Sequence, residues 1–205
     1  DRSPSRGLGD VYKRQEVLRS KLLAREVVNQ LSLFVTYKDE DAFPGKELYR
    51  TSPVLVSLTP QEAEKLPETM EVGMTLLTNG MMDVLITVGD KEYQKRFDKL
   101  PAIFPTDEGT IAFFENKDTL AVNFQKGEEG ERHIKAFISR PMSVAKRYSE
   151  ALSIAPTSKT TSVAVLSLKN SNTQRGKDFI NKLLEMYNIN TNNDKNEVAQ
   201  KTAEF

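Results

Sequence analysis

Few side chains in this sequence have the type and spacing that catalysis or metal binding requires. His133 is the only histidine, and the chain has no cysteine. The lack of cysteine excludes disulfides, thiolate zinc sites and cysteine nucleophiles. His133 stands beside Arg132 and Lys135 in a predicted strand. We therefore interpret it as an ordinary residue at a strand edge rather than as a base or a ligand.

The other motifs that carry chemistry are incomplete. A transition-metal site would have to rest on carboxylates, but the acidic sets at 39–41 and 128–131 lack the alternating ligands of a calcium loop. None of the serines stands in a credible G-x-S-x-G or S-x-x-K context. Gly176-Lys177 lacks the upstream glycine of a phosphate loop. We therefore assign no catalytic, cofactor-binding or metal-ligating residue and expect no cofactor.

Composition narrows the class of protein. The 205 residues are enough for one domain, or for a domain with an extension. Lysine plus arginine balances aspartate plus glutamate, 29 against 29, whereas a nucleic-acid-binding module usually has a basic excess. No apolar run approaches the roughly 20 residues of a membrane span, and no signal peptide is visible. We expect a globular chain that does not bind nucleic acid.

The first 15 residues, DRSPSRGLGDVYKRQ, show no apolar periodicity and are predicted to be unstructured. Residues 5–15 resemble an in-frame translation of a transposase sequencing adapter, which would exclude them from the fold. The alternative is a natural flexible basic tail. The match runs over the whole undecapeptide, so we favour the adapter and begin the domain at residue 16.

Residues 16–33 predict one amphipathic helix, because their leucines and valines recur at helical spacing. Its charged face could contact lipid headgroups or a neighbouring subunit, but we favour a solvated face. Residues 53–58 predict a strand. Thr59-Pro60-Gln61-Glu62 then forms a capping box that begins a short helix, which should end before Pro67.

Residues 74–115 predict β-structure. Asn79-Gly80 between apolar runs indicates a hairpin. Further strands are predicted at 91–97 and 110–114, with Pro101 and Pro105 interrupting regular structure. One set of apolar side chains could form an exposed binding patch, although we favour the usual role of core filler. The set is Met81, Met82, Phe104, Phe113 and Phe114.

The next segment predicts a strand at 120–124, a solvated charged loop at 126–132 and a strand at 133–140. On the last strand Ile134, Ala136 and Ile138 face one way. Pro141 can open a helix that runs to about Leu152, with a loop at 155–161 after it. Together with a strand from Val163, these elements predict a right-handed βαβ unit. Hairpins plus one βαβ unit indicate an α+β fold with a mixed β-sheet packed with helices.

Residues 162–205 predict a buried strand, a turn at 170–172 and an amphipathic helix. Phe179, Leu183 and Tyr187 belong to the apolar face of that helix. An asparagine-rich break is predicted at 188–193. Asp194 with Glu197 then suggests the start of another, longer helix, which the sequence cuts in mid-helix.

This last stretch also carries a family resemblance. The strand, the polar turn, G-K-D-F-I-N-K-L-L-E-M-Y, the asparagine-rich segment and A-Q-K-T-A-E-F follow one another from residue 162. That order resembles the extracytoplasmic region of bacterial polysaccharide co-polymerases. These are the Wzz-type chain-length determinants and their Wzc-like relatives, which carry a tyrosine autokinase. Residues 16–58, with S-K-L-L-A-R-E-V-V-N-Q-L and E-L-Y-R-T-S-P-V-L-V, and residues 137–154 are similar to the same family.

The resemblance implies a Wzz-like α/β domain at 16–190 and the start of a long helical extension at 191–205. It also implies an inner-membrane protein whose domain faces the periplasm, with both membrane spans outside this fragment. The family forms ring-like homo-oligomers beside a polymerase and a growing glycan. We expect polar contacts that are weak for each domain, so that the fragment alone is mainly monomeric at micromolar concentration. The alternative is an unrelated soluble ligand-binding or enzyme domain with a carboxylate-based site.

Overall fold

A computed structural model of the chain describes residues 4–119, 121, 130–157 and 163–203. Helices and antiparallel sheets are both abundant, so the predicted α+β class is confirmed. The chain divides into two compact units. One unit is residues 32–143, and the other combines residues 1–31 with 144–205. The domain predicted at 16–190 therefore spans parts of both units.

The secondary structure follows the chain in a simple order. The described helices are α1 Pro4–Leu18, α2 Lys21–Gln30, α3 Pro60–Glu64, α4 Pro141–Ala151 and α5 Thr173–Ala203. The described strands are β1 Val35–Asp39, β2 Lys46–Glu47, β3 Val54–Ser57, β4 Met70–Leu76, β5 Met82–Val88, β6 Lys91–Phe97, β7 Ala102–Thr106, β8 Gly109–Glu115, β9 Arg132–Ile138, β10 Leu152–Pro156 and β11 Ala164–Leu168.

Residues 32–143 contain two antiparallel sheets. One has six strands in the order β2-β1-β9-β4-β5-β6, and the other has three in the order β3-β8-β7. On β5 and β9 buried residues alternate with less buried ones, as a sheet with one covered face requires. On β9 the buried apolar residues are Ile134, Ala136 and Ile138, as predicted, and Arg132 is buried on the same face. Every described strand pair is antiparallel, so the expectation of a mixed sheet is wrong.

Aromatic side chains join the covered faces of these two sheets. The Phe97 ring on β6 lies 5.9 Å from the Phe104 ring and 5.7 Å from the Phe113 ring, measured between centroids. Met82 is also buried, so the core interpretation holds for Met82, Phe104 and Phe113. It is wrong for Phe114, which is 46% exposed because it points to the opposite face of β8.

A single hydroxyl also bridges the two sheets. Tyr37 on β1 accepts a hydrogen bond from the Val56 N–H at 2.8 Å and donates one to the Val56 carbonyl at 3.4 Å. Burial raises the pKa of Tyr37 to about 12, although the bond to the Val56 backbone opposes this shift. Since Val56 lies on β3, this contact fixes the distance between the two sheets at one point.

Two short-range sequence signals in this unit are confirmed, and one is wrong. Thr59 and Glu62 form the predicted capping box, and α3 ends at Glu64, before Pro67. Asn79-Gly80 forms the turn between β4 and β5, with Gly80 at φ +82°. Pro105, however, lies within β7 and does not interrupt it. β7 is an edge strand, where proline is tolerated because one side makes no ladder hydrogen bonds.

The predicted βαβ unit is wrong. β9 belongs to the six-stranded sheet, whereas β11 pairs with β10 in a separate two-stranded antiparallel sheet. β10 begins directly after α4, at a position where we expected the helix to end and a loop to follow. The inward positions Val144, Tyr148 and Leu152 are buried as predicted. β11 is less buried than predicted, because its inward residues stay half-buried.

The amino-terminal residues differ from expectation. α1 occupies residues that were predicted to be unstructured, and Val11, Gln15 and Leu18 form its more buried stripe at helical spacing. The single helix predicted at 16–33 is interrupted. Ser20 caps α2 by accepting a 3.5 Å hydrogen bond from the Leu23 N–H, and this cap separates α1 from α2.

α5 is one continuous helix of 31 residues, so the break predicted at 188–193 is wrong. Asn172 begins the helix by accepting a hydrogen bond from the Arg175 N–H. Phe179 and Leu183 are fully buried, and Phe179 stacks on Tyr148 at 4.5 Å. The segment 188–193 contains neither glycine nor proline, and Thr191 bonds to the Tyr187 carbonyl. Its residues weaken a helix only by tenths of a kcal/mol each.

Each described helix can be compared with the length and apolar content of a membrane-spanning helix. Within the described ranges, no helix combines the length and the apolar content that crossing a bilayer needs.

Candidate functional site

Charged side chains gather where β1 ends beside the start of β9. We call this set the β1–β9 cluster: Asp39, Glu40, Asp41, Arg132, His133 and Lys135. The antiparallel register places Asp39 opposite Ile134 and Lys38 opposite Lys135. Residues 39–41 and 132–135 therefore meet at the same end of the strand pair, although they lie far apart in the sequence.

Asp41 and His133 form the most specific contact of the cluster. Asp41 Oδ2 accepts a hydrogen bond from the His133 backbone N–H at 2.7 Å, and Asp41 Oδ1 lies 2.8 Å from His133 Nδ1. The backbone hydrogen bond from His133 is the main reason that the pKa of Asp41 is lowered. Both side chains are nearly half exposed. The pair fastens the turn after β1 to β9.

Arg132 and Asp39 form a more buried pair. Arg132 Nη2 lies 3.7 Å from Asp39 Oδ2, and the two side chains are 9% and 8% exposed. Removing one charge from such a pair leaves the other charge buried without compensation. The pair therefore ties the inner side of the cluster to the core of the six-stranded sheet.

Lys135 completes the cluster on the outer side of β9. Its Nζ lies 3.2 Å from Glu40 Oε1 and 3.3 Å from Glu71 Oε2. The hydrogen bond to Glu40 is the main cause of a raised pKa for Lys135. Glu71 lies on β4, so this lysine connects the turn after β1 with two neighbouring strands.

A second polar group stands between β6 and the turn after β7. Lys91 Nζ lies 2.8 Å from Glu108 Oε1 and 3.3 Å from Asp107 Oδ2. Tyr93 donates a 2.7 Å hydrogen bond to Glu108 Oε2. The bond to Glu108 is the main reason that the pKa of Lys91 is raised. These contacts hold the β7–β8 turn to β6.

The β1–β9 cluster is a network of ion pairs and hydrogen bonds. Each of its carboxylates is bonded to a cation, a ring nitrogen or a backbone N–H. An Asp–His pair can orient a general base, but here the same carboxylate also holds the backbone of β9. The described residues contain no group of three histidine or acidic side chains placed to hold a metal ion.

Sequence reasoning found His133 but missed its surroundings. His133 lies on β9, between β1 and β4, so its assignment to a strand edge is wrong. Its partner Asp41 is 92 positions away, and no local pattern links the two. Tyr37, which bridges the sheets, was also missed. The strand predicted at 120–124 and the charged loop predicted at 126–132 fall largely outside the described residues.

Comparison with known proteins does not identify a family for this chain. No family model matches the chain, and no curated protein matches it either.

Proposed function

We propose that this chain is an extracytoplasmic scaffold region of a polysaccharide co-polymerase of the Wzz type, a group that includes Wzc-like tyrosine autokinases. In this role it belongs to an inner-membrane protein and faces the periplasm. It helps to set the chain length, or to support the export, of a capsular polysaccharide, an exopolysaccharide or an O-antigen. The chain itself performs no reaction, and any fused kinase lies outside it.

One observation carries the proposal: α5 leaves the packed part of its unit and continues as an exposed helix. Phe179 and Leu183 in its first half are fully buried, whereas residues 188–203 are exposed at nearly every position. At 1.5 Å per residue this exposed stretch is about 24 Å long. In the resembling family the corresponding segment leads from the α/β domain into long helices. A continuous helix with an uncovered second half suits that role.

The proposed mechanism is positional. Copies of the chain pack side by side through weak contacts. These contacts suffice because the membrane spans of the full-length protein hold the copies together and raise their effective concentration. The assembled surface then meets the polymerase and the growing glycan. The alternative is a carboxylate-based site in an unrelated domain. The β1–β9 cluster does not support this alternative, because the carboxylates of the cluster bond to other cluster residues or to the backbone of β9.

A helix-breaking variant of the full-length protein tests the proposal. Asn193 is exposed within α5, so Asn193→Pro should interrupt the exposed half and Asn193→Ala should preserve it. We expect the wild type and Asn193→Ala to form a defined oligomer of more than two chains in detergent, measured by light scattering. Asn193→Pro should change the oligomer and broaden the polysaccharide length distribution on gels.

Two results would count against the proposal. A full-length wild-type protein that stays monomeric in detergent contradicts the scaffold role directly. So does a host whose polysaccharide keeps the same length distribution after the gene is deleted, because a chain-length determinant cannot be dispensable for length.

A further inference from the structure

The two-stranded sheet covers its inner face unevenly. On β10 the inward residues Leu152 and Ile154 are 5% and 8% exposed. Their register partners on β11, Leu168 and Leu166, remain only half-buried, as does Ala164. On the outer face Val163 and Val165 are 59% and 54% exposed. The apolar surface is therefore least covered along the outer edge of β11.

Backbone groups along that edge point away from β10. The Thr157 N–H bonds to the Val163 carbonyl at 3.0 Å, which places Val163 in a hydrogen-bonded pair of the ladder. Pairing alternates along antiparallel strands, so Val165 and Ser167 also bond towards β10. The N–H and C=O groups of Ala164, Leu166 and Leu168 are then directed outwards. An extended strand is the partner that fits such a row.

The other described edge strands are protected against strand addition. β6 carries Lys91, Glu92, Lys95 and Arg96, and β7 contains Pro105. β2 has only two residues. β10 ends in Pro156, which lacks an N–H.

β3 has no charged residue, but an internal contact protects it. The outward N–H and C=O groups of Val56 are both bonded to the Tyr37 hydroxyl. β11 has neither charge nor proline from residue 163 to residue 168, and it lies at an edge. It is thus the exception among the edge strands that the structure describes.

We propose that β11 pairs antiparallel with β11 of a second copy of this chain. A twofold axis at Leu166 places Leu166 opposite Leu166 of the second copy and Ala164 opposite Leu168. This register makes about six backbone hydrogen bonds. It also continues the inner apolar row from Ile154 through both Leu166 side chains to Ile154 of the second copy.

The neutrality of β11 argues for a second copy rather than another partner. In the twofold register Leu166 meets Leu166, so a charge at that position would face a like charge. Ala164 meets Leu168 and Val165 meets Ser167, so uncharged side chains face one another on both sides of the axis. A strand without charges avoids this repulsion. A twofold contact joins two chains and leaves no further β11 edge, so it goes beyond the proposed scaffold function and does not depend on it. A five-residue strand pair is weak alone, which agrees with a largely monomeric isolated chain at micromolar concentration.

The first test uses one introduced cysteine, because the sequence contains no cysteine of its own. Leu166→Cys places two thiols across the twofold axis, where directly opposed strand residues have a Cα separation suited to a disulfide. Leu55→Cys, on the protected strand β3, is the control. Under mild oxidation we expect at least about tenfold more covalent dimer from Leu166→Cys, at chain concentrations up to about 1 mM.

The second test removes the contact without touching the inner face. Val165→Lys with Ser167→Lys alters two exposed positions, and the proposed register sets these positions opposite each other across the twofold axis. Leu55→Lys with Ser57→Lys makes the same change on β3. Sedimentation equilibrium should show that the β11 variant dimerises about tenfold more weakly than the wild type, whereas the β3 variant changes less than about threefold.

The outcomes separate this contact from the scaffold function. Equal cross-linking of Leu166→Cys and Leu55→Cys overturns the β11 contact, even if the full-length protein remains a large oligomer. So does equal dimerisation of the two lysine variants. Strong cross-linking at Leu166→Cys in a full-length protein whose deletion leaves polysaccharide length unchanged supports the contact and rejects the scaffold function.

Discussion

Replacing Tyr37 by phenylalanine tests whether one hydroxyl holds the two sheets together. The ring is retained, so apolar packing changes little. The Val56 N–H, which donates to the hydroxyl at 2.8 Å, loses its partner, and Val56 is 5% exposed. A buried donor left without an acceptor costs about 1–3 kcal/mol. We expect Tyr37→Phe to lower the free energy of unfolding by that amount at pH 7, measured by urea denaturation.

The same variant gives a prediction for alkaline pH. Because burial raises the pKa of Tyr37 to about 12 in the folded chain, the folded state holds this proton more tightly than the unfolded chain, whose tyrosine pKa is near 10. The stabilisation is therefore complete below pH 10 and is lost as the pH rises towards 12. The stabilisation lost over this pH range is on the order of 2–3 kcal/mol. Only the wild type should show this loss, so the difference between wild type and Tyr37→Phe should shrink over that range.

Tyr93→Phe is the matched control. Its hydroxyl donates to Glu108 at 2.7 Å, near the surface, and Glu108 keeps its bond to Lys91. We expect a loss below about 1 kcal/mol. Equal losses for the two variants would refute the reasoning, as would a difference between wild type and Tyr37→Phe that stays constant from pH 9 to about 12.

Three further predictions concern the core, the β1–β9 cluster and the amino terminus. Leu183→Ala should cost about 2–5 kcal/mol in denaturant unfolding, because Leu183 is fully buried; the exposed Leu22→Ala is the control, and a loss below about 0.5 kcal/mol at Leu183 would contradict the packing of α5. Asp41→Asn should cost about 1 kcal/mol at pH 7, since its partner His133 is half exposed. The pKa of Asp41 is lowered in the fold, mainly by the backbone hydrogen bond from His133, so this difference should disappear as the pH falls below about 4, and a difference that persists there would be evidence against a stabilising role of the Asp41 carboxylate. Removing residues 1–15 should leave the thermal midpoint unchanged, because none of residues 9–15 is buried, whereas a drop of several degrees would show packed sequence.

Local chemistry in the sequence was enough to place many elements of the fold. Thr59-Pro60-Gln61-Glu62 bonds its own helix start within four residues, so this helix start can be predicted without knowledge of any tertiary contact. Asn79-Gly80 similarly fixes a hairpin through the backbone freedom of Gly80. Signals of this kind depend on neighbours in the chain, and the structure retains them.

The errors arose where distant contacts or summed small terms decide the outcome. β10 was interpreted as a helix end and a loop, because its five residues become a strand only through pairing with β11. In α5 each asparagine disfavours helix slightly, but an established helix propagates at little cost and these small terms do not stop it. Asp41 and His133 are 92 positions apart and could be paired only once β1 and β9 were placed side by side.

The comparison of β3 with β11 shows how far strand composition can predict an interface. Both are short, uncharged and at sheet edges, and the sequences VLVS and AVLSL do not distinguish an open edge from a closed one. The difference is the Tyr37 hydroxyl, 19 positions before Val56, which occupies both outward groups of that residue. An edge strand is available to a partner where its outward backbone groups are not already bonded within its own fold, as those of Val56 are on β3. The pairing capacity of β11 is therefore a property of the tertiary structure, and its strand composition only permits it.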